Sequence, residues 1–451
     1  MIVVKNNKRL GELSQDSNQI CFSYDIEIDH NEYLPGLNKP INRAIKLFPV
    51  FENLLPEHEQ LTILKEKHSI INEIDVLLHL YDIHGSLEFY SEDEFSSIEL
   101  KPYVQFDYSD VADTVLQNNY IYPNILDYRL DIPDDILYPK ELKEGRAMGL
   151  SGFQYKFSVI IDHSAKVISN CADSTAHYLM KPFSPSFHKF DKLSDSTQGY
   201  IPYLLINEHI FMTMARDFGF NVPYNAIIKD GIDYHYVIKR YDRFEDSKID
   251  HAEFLTLLNK HSDQKYKITI KEIFHKAQEY LDFDGLLELF EFIVFSIIIG
   301  HGDLHAKNIS LINKSNASDE TKKQLAPYYD ISTTDIYKGL DSNDIGMKIK
   351  NKQSKITYSD LIWIAGTVGI EESVAKTSID KLCTMFIDGF EEYIVKLPNE
   401  VKTLLVKVNR SHKNALDDVF YKYYRKRVKY INKMLLVKSV MTDKPKSPWQ
   451  Q

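Results

Sequence analysis

His301-Gly302-Asp303-Leu304-His305-Ala306-Lys307-Asn308 comes directly after the most apolar run of the chain, Phe292 to Ile299, and reads as a loop leaving a buried helix. Its H-x-D-x-x-x-x-N pattern suits phosphoryl transfer. That reaction asks for little covalent chemistry from the protein, but it needs a carboxylate beside the attacking hydroxyl and oxygen ligands that hold Mg²⁺ on the phosphates of ATP. Asp303 fits the first task and Asn308 the second. Twenty-two positions beyond Asn308, the run Leu325-Ala326-Pro327-Tyr328-Tyr329 ends in Asp330-Ile331-Ser332, and Ile309 to Ile312 reads as its partner strand. Such a hairpin returns Asp330 towards Asn308, and two hard oxygen donors there make a Mg²⁺ site that depends on nucleotide. The plainer alternative makes Asp303 and Asn308 ordinary loop residues and Asp330 a turn residue.

What lies upstream favours the chemical reading, because the remaining parts of a kinase occur in order. Gly149-Leu150-Ser151-Gly152-Phe153-Gln154-Tyr155-Lys156 is a glycine turn before the strand Phe157 to Ile161, and its backbone N–H groups are suited to cradle phosphates. Neither G-x-G-x-x-G nor G-x-x-x-x-G-K-[ST] occurs, so taken singly the turn is an ordinary hairpin. Lys181 ends the strand-like run His177 to Met180, where it is expected to contact the α- and β-phosphates and pair with Glu208 on the helix of about Tyr203 to Phe218. Asp217-Phe218-Gly219 spells a metal-binding D-F-G but precedes the catalytic loop, so Gly219 reads as a helix cap and Asp217 as a surface residue. His251, His261 and His275 have no ligand spacing.

Composition bounds the rest. The 451 residues allow two or three folding units, with 43% hydrophobic and 26% charged residues in the range of globular proteins. With 54 basic and 65 acidic side chains, net −11, a generic attraction to nucleic acid is not expected. The local exception is a predicted helix near Asp417 to Lys438, where Lys422, Arg425, Lys426, Arg427, Lys429, Lys433 and Lys438 alternate with tyrosines. A solvated helix face is the bland reading, and contact with DNA or an acidic partner the functional one. Cys21, Cys171 and Cys383 are too far apart for a zinc or disulfide framework, and there is neither a secretion signal nor a run long enough to span a bilayer. A cytoplasmic protein with no membrane partner is expected.

Periodicity divides the chain into an accessory α/β unit (residues 1–110), a strand-rich unit with one packed helix (111–243) and a helical unit (244–451). Within the last, helices are predicted over Ile273–Leu281, Phe283–Ile299, Tyr358–Thr367, Val374–Ile394 and Val401–Tyr430.

With these residues in view, the sequence resembles the HipA family of bacterial serine/threonine kinase toxins over nearly its whole length. The matching stretches are Phe48-Pro49-Val50-Phe51-Glu52-Asn53-Leu54-Leu55-Pro56-Glu57, Ser151 to Lys156, Lys181-Pro182, Ala215 to Pro223, Lys239-Arg240-Tyr241-Asp242-Arg243, Gly302 to Asn308, and Ala326 to Ile331. The resemblance implies an α+β, two-lobed protein-kinase-like fold, with a mixed β N-lobe, an all-helical C-lobe and the accessory subdomain attached to the N-lobe. It implies ATP and Mg²⁺, with Asp303 catalytic and Asn308 and Asp330 on the metal. Ser151, Gly152, Phe153, Gln154, Tyr155 and Lys156 would form the phosphate loop. Lys181, the hinge Lys239-Arg240-Tyr241, His305, and Tyr329-Asp330-Ile331-Ser332 would contact nucleotide. Family members typically phosphorylate an aminoacyl-tRNA synthetase and are neutralised by a helix-turn-helix antitoxin of the HipB type that binds operator DNA. Two departures stand out. A position commonly used for the regulatory serine holds Gly149, leaving Ser151 as the autophosphorylation candidate, and Lys239 opens the hinge where an acidic residue is expected.

The alternatives are a small-molecule phosphotransferase of aminoglycoside or choline kinase type, whose catalytic loop His301 to His305 also resembles, and a DNA-bound corepressor acting with its antitoxin.

Overall fold

In the computed structural model the residues described are 1–451 apart from 17, 81–82, 102–105, 107–110, 112, 114–115, 117–124, 138–154, 172–175, 184–202, 232, 246, 314–322, 338–342, 408–411 and 437–451. The chain opens with the β-branched run Ile2–Lys5 (β1), which pairs antiparallel with Lys8–Asp16 (β2). Gln19–Tyr24 (β3), Ile41–Ala44 (β4) and Leu87–Tyr90 (β5) complete a five-stranded sheet of order β4-β3-β2-β1-β5. A Cβ on Gly11 would lie 2.1 Å from the Ser23 carbonyl oxygen, so glycine is what lets β2 approach β3 there. Val3, Phe22, Phe51 and Val76 form a core separate from that of the rest of the chain.

A second sheet, of order β6-β11-β12-β10-β8-β9-β7, runs through Ile125–Leu126 (β6), Arg129–Asp131 (β7), Phe157–Asp162 (β8), Val167–Asn170 (β9), Tyr178–Lys181 (β10), Asn225–Asp230 (β11) and Asp233–Lys239 (β12). The helix Leu204–Asp217 packs on β11 and β12 and is buried from Leu205 to Ala215 without a break. A helix so enclosed must satisfy its polar side chains internally. Asn207 does so by donating to the Thr333 carbonyl (2.8 Å) and the Tyr337 hydroxyl (2.9 Å), which sews this helix to the second lobe. Its end is set by Gly219 at φ +95°, and Asp217 is a surface residue, accepting from the Tyr393 hydroxyl at 2.7 Å.

The second lobe is built around Phe283–Ile299, capped by the Asp282 side chain at its start and by Gly300, at φ +70°, at its end. Phe292 to Phe295 and Ile297 to Ile299 are wholly buried. A helix apolar on all faces belongs inside a shell of others, and each such side chain contributes about 1.5–3 kcal/mol. Glu372–Lys396 and Leu416–Met434 pack against it, Tyr358–Thr367 packs on Glu372–Lys396, and Ile270–Ala277 packs on Tyr358–Thr367.

The structure departs from expectation in two places. The C-lobe is not all helical: the hairpin of Ser310–Asn313 and Lys323–Leu325 is extended into a three-stranded sheet by His251–Glu253, a strand too short and too distant from its partner to register as periodicity. The helix expected over Val401–Tyr430 is broken, with a short turn Asn399–Lys402, a hairpin Leu405–Lys407/Lys413–Ala415, and then the helix Leu416–Met434. The inner side of that last helix is structural. Arg427 is buried and donates to the Ile298 carbonyl (2.9 Å) and Asp344 (3.0 Å), Lys426 pairs with Asp335 (2.8 Å), and Tyr423 holds the Ile299 carbonyl (2.8 Å). Lys422, Arg425, Lys429 and Lys433 remain exposed, and Lys438 lies outside the described residues.

The accessory subdomain makes polar contacts to the strand end after β12 and to the second lobe. Arg240 donates to the Ile83 carbonyl (3.0 Å), Arg243 to the Gly85 carbonyl (3.2 Å), and the Gly85 amide to Asp242 (3.0 Å). Lys5 pairs with Asp250 at 3.1 Å and Asn53 donates to the Thr256 hydroxyl at 3.1 Å. Asp242, Arg240 and Arg243 are each about 1% exposed at the side chain. Burial pushes the Asp242 carboxyl up, but the two guanidiniums hold it well below the usual carboxylate range. Its stabilisation is therefore present above the ordinary carboxylate pKa and is lost as pH falls through the lower, folded value. Asp242→Ala leaves two buried guanidiniums facing each other and should cost about 3–5 kcal/mol at neutral pH. A shift of the urea midpoint by less than a third of that would show that the latch is not what holds the subdomain.

Candidate active site

Lys181 stands at the end of β10, opposite Tyr236 of β12, and both strands are buried there. Its ammonium donates to both oxygens of Glu208 at 2.8 Å and to Asp330, so a single cation is shared by two carboxylates from different lobes. Lys181 and Glu208 are almost entirely buried. Burial opposes the Lys181 charge, but Asp330 and Glu208 overcome it and keep the lysine protonated. Burial also raises Asp330, yet Lys181 and Lys156 hold it below the usual carboxylate range. Glu208 is pushed up to about 7 by burial, against the pull of Lys181, because Asp330 competes for the same cation.

Asp330 reaches this point from a left-handed backbone (φ +61°), a conformation that aspartate tolerates better than most residues. The segment before it is pinned twice. Tyr328 stacks on Phe292 with ring centroids 3.7 Å apart, and the Tyr329 hydroxyl donates to the Lys307 carbonyl at 2.7 Å. That second bond ties Asp330 to the loop that follows the central helix.

The loop itself is closed internally. The His305 amide donates to the Asn308 side-chain oxygen (3.0 Å) and the Asn308 amide to the His305 carbonyl (2.9 Å). Every side chain from Leu304 to Asn308 is buried, whereas Asp303 opens to solvent within a recess walled by protein. That crowding raises the Asp303 carboxyl, partly offset by the Tyr266 hydroxyl, which donates to it. His305 is held neutral, at about 3, by burial and by Lys265, and its Nδ1 has no partner among the described residues. A Cβ at Gly302 would come within 2.3 Å of the Thr334 hydroxyl.

A cleft of about 500 Å³ adjoins these groups and is lined by Lys156, Lys181, Glu208, Lys239, Arg240, Tyr241, Tyr329 and Asp330, with His84 contributed by the accessory subdomain. Lys156 is buried on it, and desolvation pushes its pKa down to about 8 despite Asp330. Ser151, Gly152, Phe153 and Gln154 lie outside the described residues; Tyr155 is half-buried. In the strand end after β12 the Lys239 amide is bound to the Tyr224 carbonyl (2.8 Å) and the Arg240 amide to the His177 carbonyl (2.7 Å). The Lys239 ammonium turns to the Tyr178 hydroxyl at 3.3 Å, and the Arg240 guanidinium is occupied by Asp242. Tyr241 and Tyr329 stack at 6.1 Å. Ile331 is wholly buried in the core and Ser332 is half-buried, so neither side chain belongs to the cleft wall. Tyr266, Lys265, Glu57 and His84 join the site without any local motif. Glu57 stood in a stretch shared with the family, and the others carried no signal.

A model of the HipA-like C-terminal domain matches residues 148–390, and one of the HipA N-terminal domain matches residues 1–89. The chain belongs to the HipA family. A Sinorhizobium fredii protein named as a candidate kinase, Y4mE, is 24% identical over 423 residues, covering 88% of this chain and 91% of its own. A Haemophilus influenzae protein, also named as a candidate kinase, is 26% identical over 214 residues, or 43% of this chain and 54% of that one. Among solved structures, the Shewanella oneidensis MR-1 HipA chain, from a complex with HipB and operator DNA, superposes with a TM-score of 0.65 at 16% identity over 96% of this chain and 97% of that one. The two-lobed, kinase-like α+β fold follows from that likeness, and family and relatives together support a kinase.

The shared-cation arrangement has a measurable signature. Lys181→Met should destabilise the chain by about 3–5 kcal/mol by stranding buried carboxylates, and the double variant Lys181→Met/Glu208→Met should cost less than the sum of the two single changes. Strict additivity in a denaturant double-mutant cycle would mean that the pair is not coupled.

Proposed function

We propose that the chain is an ATP- and Mg²⁺-dependent serine/threonine protein kinase that acts as the toxin of a toxin–antitoxin pair. The observation that carries this reading is the meeting of a buried Lys181–Glu208 pair with Asp330, next to a loop whose one solvent-open carboxylate is Asp303. That is the charge arrangement a phosphoryl donor requires: fixed cations for the phosphates, oxygen donors for a metal, and a base for the acceptor hydroxyl.

The donor set fits the groups assigned to it. Asp330 and Asn308 offer hard oxygens, of which Asn308 keeps one lone pair beyond its bond to the His305 amide. Among the described residues no cluster of three or more His, Cys, Asp or Glu side chains is arranged to hold a metal alone, which accords with an ion that arrives with nucleotide phosphates. When bound, Mg²⁺ would supply charge neutralisation on those phosphates. Lys181, kept protonated by Glu208, would bind the phosphates, Lys156 and the turn from Ser151 would flank them, and Tyr241, Tyr329 and His305 would border the nucleotide. Asp303 would accept the proton of the attacking hydroxyl and orient it. Ser151 is the candidate for autophosphorylation.

By the same reading the substrate is a translation component such as an aminoacyl-tRNA synthetase, and the partner a HipB-type antitoxin through which operator DNA is met. The Shewanella oneidensis HipA chain was solved together with HipB and its operator DNA, which supports the antitoxin and DNA. A cytoplasmic location is supported by three free cysteines, and no helix among the described residues is long and apolar enough to cross a membrane.

Asp303→Asn should abolish γ-phosphate transfer and growth arrest while leaving the thermal unfolding curve in place; transfer at the parental rate would remove Asp303 from its role. Labelled ATP with cell lysate separates the enzymatic readings, since label in a discrete protein band supports the protein kinase and label confined to small metabolites the small-molecule phosphotransferase. The raised Asp303 pKa also sets a pH dependence. A base must be unprotonated, so the acid limb of kcat should lie above the pH of an ordinary aspartate, and Tyr266→Phe, which removes the bond that lowers the carboxyl, should move that limb further up. A limb that stays in place in Tyr266→Phe would show that the titrating group is another.

A further inference from the structure

Glu57 comes from the accessory subdomain, yet both of its carboxylate oxygens are spent in the second lobe. Oε1 lies 3.3 Å from the ammonium of Lys307 and Oε2 2.6 Å from that of Lys265. Lys307 sits inside the loop His301–Asn308, fully buried, and also donates to the Asn53 carbonyl at 3.0 Å. Lys265 belongs to a different loop that touches the same place: its carbonyl accepts the Ala306 amide at 3.3 Å. The next residue, Tyr266, donates to Asp303 and packs edge-on against His305, with ring centroids 5.1 Å apart. One carboxylate therefore ties together the two segments that hold Asp303, one through the chain from Lys307 and one through Tyr266. Glu57 is itself fixed, because Asn53 donates to the Thr256 hydroxyl (3.1 Å) and the Lys260 carbonyl (3.0 Å), and Glu52 accepts the Ser262 amide (3.4 Å). Its side chain is 7% exposed, so removing it would leave two cations without their common counter-charge.

We propose that Glu57 is a positioning residue of the phosphotransfer centre, delivered by the accessory subdomain to hold Asp303 in register through Lys307 and Lys265. This rests on the kinase reading. It makes the N-terminal subdomain a working part of the active site, and it means that any partner that lifts the stretch Phe48–Glu57 away would slow the enzyme without entering the cleft.

The test uses the full chain, with Asp303→Asn as the control for authentic transfer. Glu57→Gln should lower kcat by about 10- to 100-fold, as expected for a misplaced catalytic group, with the KM for ATP nearly unchanged. Glu57→Asp should recover part of the loss. In the same variant, amide hydrogen exchange of Leu304 to Asn308 should quicken by about tenfold or more while β2 and β3 keep their protection. Parental kcat and parental exchange in Glu57→Gln would overturn the proposal, as would a loss that appears only in KM. Should Glu57→Gln fail to fold, Lys265→Met, which removes one arm of the tie, decides by the same two readouts. If the parental chain shows no Asp303-dependent transfer, the kinase reading fails, and the exchange measurement alone then decides whether Glu57 fixes the loop.

Discussion

One ammonium shared between two carboxylates is the constraint around which the molecule is arranged. Lys181 is delivered by the first lobe's sheet, Glu208 by the helix behind it, and Asp330 by the second lobe. An unpaired charge at that depth would cost several kcal/mol, so the three must be brought together or neutralised. The surrounding packing does the former. Asn207, one residue before Glu208, bonds to the second lobe at Thr333 and Tyr337, and Phe292 of the central helix stacks on Tyr328, two residues before Asp330. Glu208 is thus anchored by its chain neighbour across the lobe boundary, and Asp330 by a near neighbour within the second lobe.

How much of this the sequence disclosed depends on how far apart the interacting residues lie. Elements defined by local chemistry were readable: the apolar helix Phe283–Ile299 and the helix Tyr358–Thr367 have the bounds that periodicity gives them, and Gly219 caps its helix. The hairpin leading to Asp330 was readable in part: the strand Ser310–Asn313 overlaps the expected Ile309 to Ile312, but its partner is Lys323–Leu325 and not the apolar run Leu325 to Tyr329. Periodicity failed where a tertiary partner decided the outcome. Leu405–Lys407 looks like the continuation of a helix until Lys413–Ala415 pairs with it, and His251–Glu253 becomes a strand only because Ser310–Asn313 lies beside it. The basic helix was legible only in part, since charge read along a line does not say which faces are buried: Lys422, Arg425, Lys429 and Lys433 are exposed, but Arg427 points inward to carbonyls at the end of the central helix, where a cation complements the helix dipole.

The same distinction applies to the candidate site. Residues that belong to a contiguous pattern, Asp303 to Asn308 and Lys181, could be named from their spacing. Tyr266 could not, because a tyrosine in a polar loop 37 positions before Asp303 acquires meaning only when its hydroxyl reaches that carboxylate. Ile331 shows the converse: it was drawn into the nucleotide site as a neighbour of Asp330, but its side chain is wholly buried in the core.

The position of the accessory subdomain follows from where charge can be buried at low cost. Its own core is separate from that of the rest of the chain, though Phe106 packs with Tyr241, Ile249 and Ile312 across the boundary. Ion pairs and backbone carbonyls add directional contacts. Ile83 and Gly85 present carbonyls to Arg240 and Arg243, Lys5 meets Asp250, and Glu57 meets Lys265 and Lys307. An interface of this composition is specific in geometry, because each buried charge must meet its counter-charge at a fixed place. Burial pushes Glu253, near Lys307 and Glu57, up to about 7. A subdomain held by directional polar contacts to the strand end and loop that border the cleft is suited to report on that cleft, which a subdomain held by a greasy face would not be.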